Sequence, residues 1–261
     1  MNVLDEIIAT TRRDLERRKR SLPLSALPRQ AGPARPSFRA ALARPGLSII
    51  AEHKRSSPSA GLIRPDSSVA DIARAYEEGG AAAMSVLTEA HRFGGSLDDL
   101  RDAAGACSLP LLRKDFIVDA YQLHEAAAAG ASAVLLIVAA LDRQTLRELQ
   151  DAARELSLDV LVEVHDAAEL EIAAATEAEL IGVNNRDLRD FSVDPERTYA
   201  LLETMPAGTL VVSESGISSA EQLARLSAAG VAGALIGERL MRAAAPAAAL
   251  RELRGGLASP L

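Results

Sequence analysis

Eight short apolar runs, each followed by an amphipathic stretch, recur from residue 47 onward and constrain the fold more than any other feature. They read LSIIAEHK (47–54), AAMSVLTE (82–89), LPLLRKDF (109–116) and AVLLIVA (133–139), then DVLVEVH (159–165), LIGVNNR (180–186), TLVVSES (209–215) and GALIGERL (233–240). Segments between them, such as VADIARAYEEGG, DAYQLHEAAAAG, LDRQTLRELQDAARELS and SSAEQLARLSAAG, carry helical periodicity. Gly79, Gly80, Gly130 and Gly230 stand where helices end, as left-handed caps require. Strict alternation of strand and helix gives a parallel sheet with right-handed crossovers. Eight units favour closure, so the fold class is α/β, a (β/α)8 TIM barrel. A doubly wound dinucleotide-binding sheet fits less well, because no GxGxxG follows the first run.

The stretch before the first run reads differently. Residues 2–19 place Leu4, Ile7, Ile8 and Leu15 on one helical stripe. Pro23, Pro28, Pro33, Pro36 and Pro45 then forbid a long helix. Residues 1–261 are expected to form a single barrel domain, with 1–46 an N-terminal helical extension and linker packed on it. A chain of 261 residues suits one such barrel. Its core must be Ala, Leu, Val and Ile, since Trp is absent and aromatics make up 3%.

A net charge of -7 argues against nucleic acid as the main partner. The one cysteine, Cys107, offers no internal disulfide and reads as a buried structural thiol. His53, His91, His124 and His165 lack metal-ligand spacing, so no metal is expected. The opening residues show no long apolar run, which predicts a cytoplasmic protein without a membrane partner.

A strand filling a barrel interior should be apolar in its middle. Five of the runs nevertheless finish polar: Glu52-His53-Lys54, Arg113-Lys114-Asp115, Glu163-Val164-His165, Asn184-Asn185-Arg186 and Ser213-Glu214-Ser215-Gly216. One such group can simply cap its strand in solvent. Five on parallel strands meet at the C-terminal face of the barrel. Alternation puts Glu52 with Lys54 and Asn184 with Arg186 on shared faces, where Lys114, Glu163 and Glu214 can join them. The set suits acid–base chemistry. Neighbouring cations and desolvation lower a lysine pKa, whereas neighbouring carboxylates oppose that shift and crowded carboxylates rise. A lysine that forms a Schiff base with a carbonyl substrate is the other chemistry these residues allow.

The last two loops point to what the substrate carries. Glu214-Ser215-Gly216-Ile217-Ser218 and Ile236-Gly237-Glu238-Arg239-Leu240-Met241 follow the seventh and eighth runs and open helices. Glycine permits close backbone approach, and free amides at a helix start favour phosphate. Barrels often bind phosphate with these loops, so a phosphorylated small molecule is the expected ligand.

Taken together, EHKRSSPSAGLI (52–63), LTEAHRFGGSLDDL (87–100), LLRKDFIVDAYQL (111–123), LVEVHD (161–166), IGVNNRDL (181–188), VSESGI (212–217) and LIGERLM (235–241) resemble the indole-3-glycerol phosphate synthase family. The resemblance covers nearly the whole chain. It implies a carboxy-lyase of tryptophan biosynthesis that needs no metal or organic cofactor. The reaction converts 1-(2-carboxyphenylamino)-1-deoxyribulose 5-phosphate to indole-3-glycerol phosphate, carbon dioxide and water. By resemblance Lys114 is the general acid at the substrate ketone, and Lys54 holds anionic groups and joins the later proton transfer. Glu163 acts as base or stabilises the cationic ring intermediate, and Glu52 orients the lysines. Asn184 and Glu214 support hydroxyls and the network, and Arg186 faces the departing carboxylate. Ser57, Ser215, Gly216, Gly237 and the backbone at Glu238 hold phosphate, while Pro58, Phe93, Phe116, Leu135 and Leu188 form an aryl slot.

Three positions depart from the commonest family pattern: Ala60 replaces a lysine, Arg92 an aromatic, and Glu238 puts a carboxylate beside the phosphate loops. Two rival readings exist. A phosphoribosylanthranilate isomerase needs a cysteine–aspartate pair at strand ends, and Cys107 is not at one. A non-catalytic phosphate-sugar binding barrel would not need Lys54, Lys114 and Glu163 together. The family's biosynthetic role also suggests a loose association with other enzymes of that pathway.

Overall fold

The computed structural model describes residues 3–28, 35–187 and 191–255. Eight parallel strands close into a barrel: β1 (Ser48–His53), β2 (Ala83–Leu87), β3 (Leu111–Lys114), β4 (Ala133–Ile137), β5 (Asp159–Val164), β6 (Leu180–Asn184), β7 (Leu210–Glu214) and β8 (Gly233–Ile236). Each pairs with its chain neighbours, and β1 closes the ring on β8 in the register Ser48↔Gly233 to Ala51↔Ile236. Helices α1 (Val3–Ser21) and α2 (Phe38–Leu42) precede the barrel. The crossovers are α3 (Val69–Gly79), α4 (Leu97–Ala106), α5 (Ala120–Ala128), α6 (Arg143–Glu155), α7 (Ala167–Ala175), α8 (Glu196–Leu202) and α9 (Ala220–Ala228), and α10 (Glu238–Met241) and α11 (Pro246–Gly255) end the described chain.

Local chemistry sets the helix boundaries. Ser68, Ser96, Asp119, Asp142, Asp166 and Ser219 each accept a first-turn amide, which satisfies a donor that the helix itself leaves open. Gly80, Gly130 and Gly230 turn the chain with φ of +83°, +86° and +82°. Gly79 serves otherwise: a side chain there would meet Leu250 of α11 at 2.9 Å. Cys107 is half-buried at the end of α4, where burial raises its thiol pKa.

Strand alternation divides the core in two. Ile49, Ala51, Met84, Val86, Leu136 and Val162 face the helices. Ile50, Ala83, Leu112, Leu135, Leu161, Leu180, Val212 and Leu235 fill the barrel together with Phe38 and Leu42 of α2 and with Leu4 and Ile7 of α1. α1 is tied to the loop after β2 and to α5. Glu6 pairs with Arg92 at 2.7 Å, Asp14 with His91 at 2.6 Å, Arg18 with Glu125 at 2.7 Å and Lys19 with Asp119 at 2.6 Å. The arginine at 92 thus fastens the N-terminal helix to the loop after β2. Among the described residues no helix is long and apolar enough to cross a membrane.

Candidate active site

The inward-facing positions of the barrel become charged toward one end. Ile50 is followed on the same face by Glu52 and Lys54, Leu112 by Lys114, Leu161 by Glu163, Leu180 by Gly182 and Asn184, and Val212 by Glu214. These side chains floor a cavity of about 590 Å³ at the C-terminal face. Every site residue expected from sequence lines this cavity except Leu188, which lies outside the described residues.

Lys114 stands at the centre of the floor. Its Nζ lies 3.1 Å from Glu163 Oε2 and 3.0 Å from Glu214 Oε2, and the carboxylates are buried to within 2%. Asn184 donates to Glu163 Oε1 at 3.1 Å and accepts at its own Oδ1 from Ser215 Oγ at 2.9 Å and from the Arg186 amide at 3.0 Å. Lys54 Nζ reaches Glu52 Oε1 at 2.8 Å.

Electrostatics separates the groups. Burial alone would lower the Lys114 pKa, but Glu163, Glu214 and Glu52 outweigh it and hold the ammonium charged well above the ordinary lysine range. Burial pushes Glu214 up to about 7 because Lys114 only partly offsets it, with Glu163 adding repulsion. Glu163 is also buried, yet Lys114, His165 and the Asn184 hydrogen bond bring it below the usual carboxylate range. One carboxylate is thus firmly ionised and its neighbour is poised near neutrality, an arrangement suited to moving protons.

Glycines make room for this cluster. A Cβ on Gly182 would lie 2.2 Å from Glu214 Oε1, and one on Gly237 would lie 2.4 Å from Glu52 Oε1 and 3.0 Å from Lys54 Nζ. Gly237 therefore accommodates the Glu52–Lys54 pair as well as opening the last loop. At that end Ser215 and Gly216 have left-handed φ of +68° and +78°, and Gly216, Ser218, Gly237 and Arg239 line the cavity. Glu238 pairs with Arg242 at 2.9 Å, which offsets part of the repulsion its position suggests. Ser57 Oγ accepts the Ala60 amide at 3.1 Å within the short hairpin after β1. Phe93 and Phe116, with ring centroids 6.4 Å apart, join Pro58 and Leu135 in an apolar wall.

A family model for indole-3-glycerol phosphate synthase matches residues 4–253. The chain belongs to the indole-3-glycerol phosphate synthase family. An indole-3-glycerol phosphate synthase of Koribacter versatilis is 48% identical over 258 residues, covering 97% of this chain and 99% of its own. One of Rhizorhabdus wittichii is 49% identical over 261 residues, covering 98% and 99%. Among solved structures, a mutant tryptophan synthase alpha-subunit of Pyrococcus furiosus superposes with a TM-score of 0.61 at 16% identity, over 81% of this chain and 99% of that one. Thiamine phosphate pyrophosphorylase from the same organism gives 0.59 at 17% identity, over 80% and 95%. Those identities carry the fold alone.

Sequence reasoning passed over several residues of this family member's site. Ile137 lines the cavity two positions beyond Leu135, where alternation along β4 could have found it. Arg242 lies one helical turn after Glu238, a spacing that signals the pair. Gly182 carries no local signal, because its role depends on a carboxylate from the adjacent strand.

Proposed function

We propose that the cavity closes the indole ring as an indole-3-glycerol phosphate synthase, a carboxy-lyase acting on 1-(2-carboxyphenylamino)-1-deoxyribulose 5-phosphate. The observation that carries this reading is the Lys114 ammonium held between Glu163 and Glu214 in a chain that matches the family over residues 4–253. The charged lysine donates a proton to the ketone oxygen as the carboxyl-bearing aryl carbon attacks the ketone carbon. Loss of carbon dioxide restores the aromatic ring. The new hydroxyl then takes a second proton and departs as water, with Lys54 at the cavity wall as its donor. Glu163, the ionised carboxylate, accepts the ring methylene proton as the indole aromatises and stabilises the preceding cation.

Glu52 orients Lys54 through their ion pair. Asn184 and Glu214 maintain the network around Glu163 and Lys114. Arg186, whose guanidinium is anchored on the Phe191 carbonyl at 2.9 Å, faces the departing carboxylate. The phosphate sits against Ser57, Ser215, Gly216, Gly237 and the first amides of α10, which have no partner within their own helix. The apolar wall of Pro58, Phe93, Phe116 and Leu135 receives the aryl ring.

A Schiff base at Lys114 is disfavoured because nucleophilic attack needs the neutral amine. The isomerase reading is disfavoured because Cys107 sits at a helix end and does not line the cavity. A cytoplasmic setting and a loose association with enzymes of the same pathway suit this role.

The test is direct incubation with the substrate. Ring closure gives indole fluorescence and an equal amount of carbon dioxide, with inorganic phosphate as a competitive inhibitor. Absence of the indole product overturns the reading, and absence of competition at high phosphate removes the phosphate loops from it.

A further inference from the structure

For Glu163 to work as an ionised base, Asn184 must turn its amide nitrogen, and not its oxygen, toward the carboxylate. This requirement rests on the ring-closure reaction proposed above. The orientation is set by what meets the Asn184 oxygen, Ser215 Oγ at 2.9 Å and the Arg186 amide at 3.0 Å, while Nδ2 reaches Glu163 Oε1 at 3.1 Å. Ser215 in turn has a φ of +68°. A residue with a side chain keeps that left-handed conformation only where its surroundings impose it.

Asn185 supplies the constraint from behind the strand. Alternation turns it away from the cavity, and it is 1% exposed. Its Nδ2 donates to the Ser215 carbonyl at 3.1 Å and to Ser213 Oγ at 3.1 Å. Its Oδ1 accepts from Thr198 Oγ1 at 2.8 Å and from the Thr198 amide at 3.3 Å. The two backbone partners, a carbonyl and an amide, decide which end of the Asn185 side chain is which. Thr198 Oγ1 and Ser213 Oγ lie 2.8 Å apart on fully buried residues. Because Thr198 gives its hydroxyl proton to Asn185, Ser213 must give its own to Thr198. The three side chains thus close a ring of hydrogen bonds that runs one way, from Asn185 Nδ2 through Ser213 and Thr198 back to Asn185 Oδ1. All four hydrogen-bonding sites of the Asn185 amide are used, so it cannot turn over without breaking the ring.

We propose that Asn185, locked by Thr198 and Ser213, is a positioning residue for the Glu163 base: it holds Ser215 so that the Ser215 hydroxyl keeps Asn184 aimed at Glu163. Asn185, Thr198 and Ser213 do not line the cavity, so they act on the reaction only through Ser215 and Asn184. Glu163 also faces Lys114 from β3, His165 from the end of its own strand and Glu214 from β7. Burial opposes its charge, and Lys114, His165 and the Asn184 hydrogen bond keep it ionised. Losing the Asn184 bond raises the Glu163 pKa, so the low-pH limb of the rate profile moves to higher pH.

The experiment follows single-turnover ring closure by indole fluorescence across pH, with circular dichroism for the fold. Asn185→Ala, a neutral change, slows the step about tenfold near neutrality and moves its low-pH limb upward. Thr198→Val opens the ring and shows both changes in smaller measure, whereas Thr198→Ser keeps the hydroxyl and the parent profile. This pair keeps the test in force if Asn185→Ala fails to fold. A folded Asn185→Ala with the parent's rate and limb overturns the proposal, and so does a slower rate with an unmoved limb, which marks general loosening. Matching profiles for Thr198→Val and Thr198→Ser, with only the melting temperature lowered, reduce Asn185 to a cap for α8 and overturn it too. A parent chain that forms no indole product refutes ring closure itself, so the two failures are distinguishable.

Discussion

Gly182 points into the barrel from β6, and Glu214 from β7 occupies the space a side chain would need. A Cβ there lies 2.2 Å from Glu214 Oε1 and 3.3 Å from Leu161 Cδ1. Gly182→Ala therefore forces the carboxylate to retreat by roughly 1 Å to reach ordinary contact. Glu214 Oε2 starts 3.0 Å from Lys114 Nζ. With an effective dielectric of about 20, lengthening that pair by about 1 Å loses on the order of 1.4 kcal/mol. Overpacking of a tight interior adds about 1–3 kcal/mol. The sum, about 2–4 kcal/mol, lowers the unfolding midpoint of a chain this size by roughly 4–16 °C. Thermal melting followed by circular dichroism reads it. Shortening the carboxylate in the double variant Gly182→Ala, Glu214→Asp recovers part of the loss, because the two changes share one space. A melting temperature within about 2 °C of the parent, with no gain from the second change, would mean that Glu214 does not fill the space beside Gly182.

Other outcomes follow from the same geometry. Glu163→Gln keeps the size of the side chain but removes the proposed base, so kcat falls by about 10²–10⁴ in the indole fluorescence assay while the melting curve stays cooperative. Glu214 has its folded pKa raised to about 7 from the ordinary 4.5, so the folded state binds the extra proton and stability falls as pH rises between those values. Glu214→Gln removes that slope and gains up to about 3 kcal/mol relative to the parent between pH 4.5 and 7, read by urea unfolding. A difference independent of pH contradicts the assignment. Arg18→Ala frees one tie of α1 while Glu125 keeps Arg113 at 3.3 Å. It raises KM several-fold with little change in kcat, by loosening the helix that contributes Leu4 and Ile7 to the interior.

Much of this site was legible because β alternation is local. Once Ile50, Leu112, Leu161 and Val212 are placed inward, Glu52, Lys114, Glu163 and Glu214 must follow on the same side. The eight strands and the helical extension emerged from periodicity and proline placement alone. What periodicity cannot convey is distance between strands. Whether cations or carboxylates would set the Lys114 pKa depended on Glu163 and Glu214 arriving from β5 and β7 at about 3 Å. The same holds for Gly182, and for Arg113, which faces outward and lies fully buried between Asp115 at 2.8 Å and Glu125 at 3.3 Å. In the sequence His165 is one more polar strand end, and only the fold places its ring between Glu163 and Glu169.

We propose that the ammonium of Lys114 starts ring closure. The most direct test is Lys114→Ala under single-turnover conditions, with indole fluorescence for chemistry and circular dichroism for the fold. Native secondary structure is expected, with ring closure slowed by at least about 10²-fold. A folded variant that closes the ring at nearly the parent rate contradicts it.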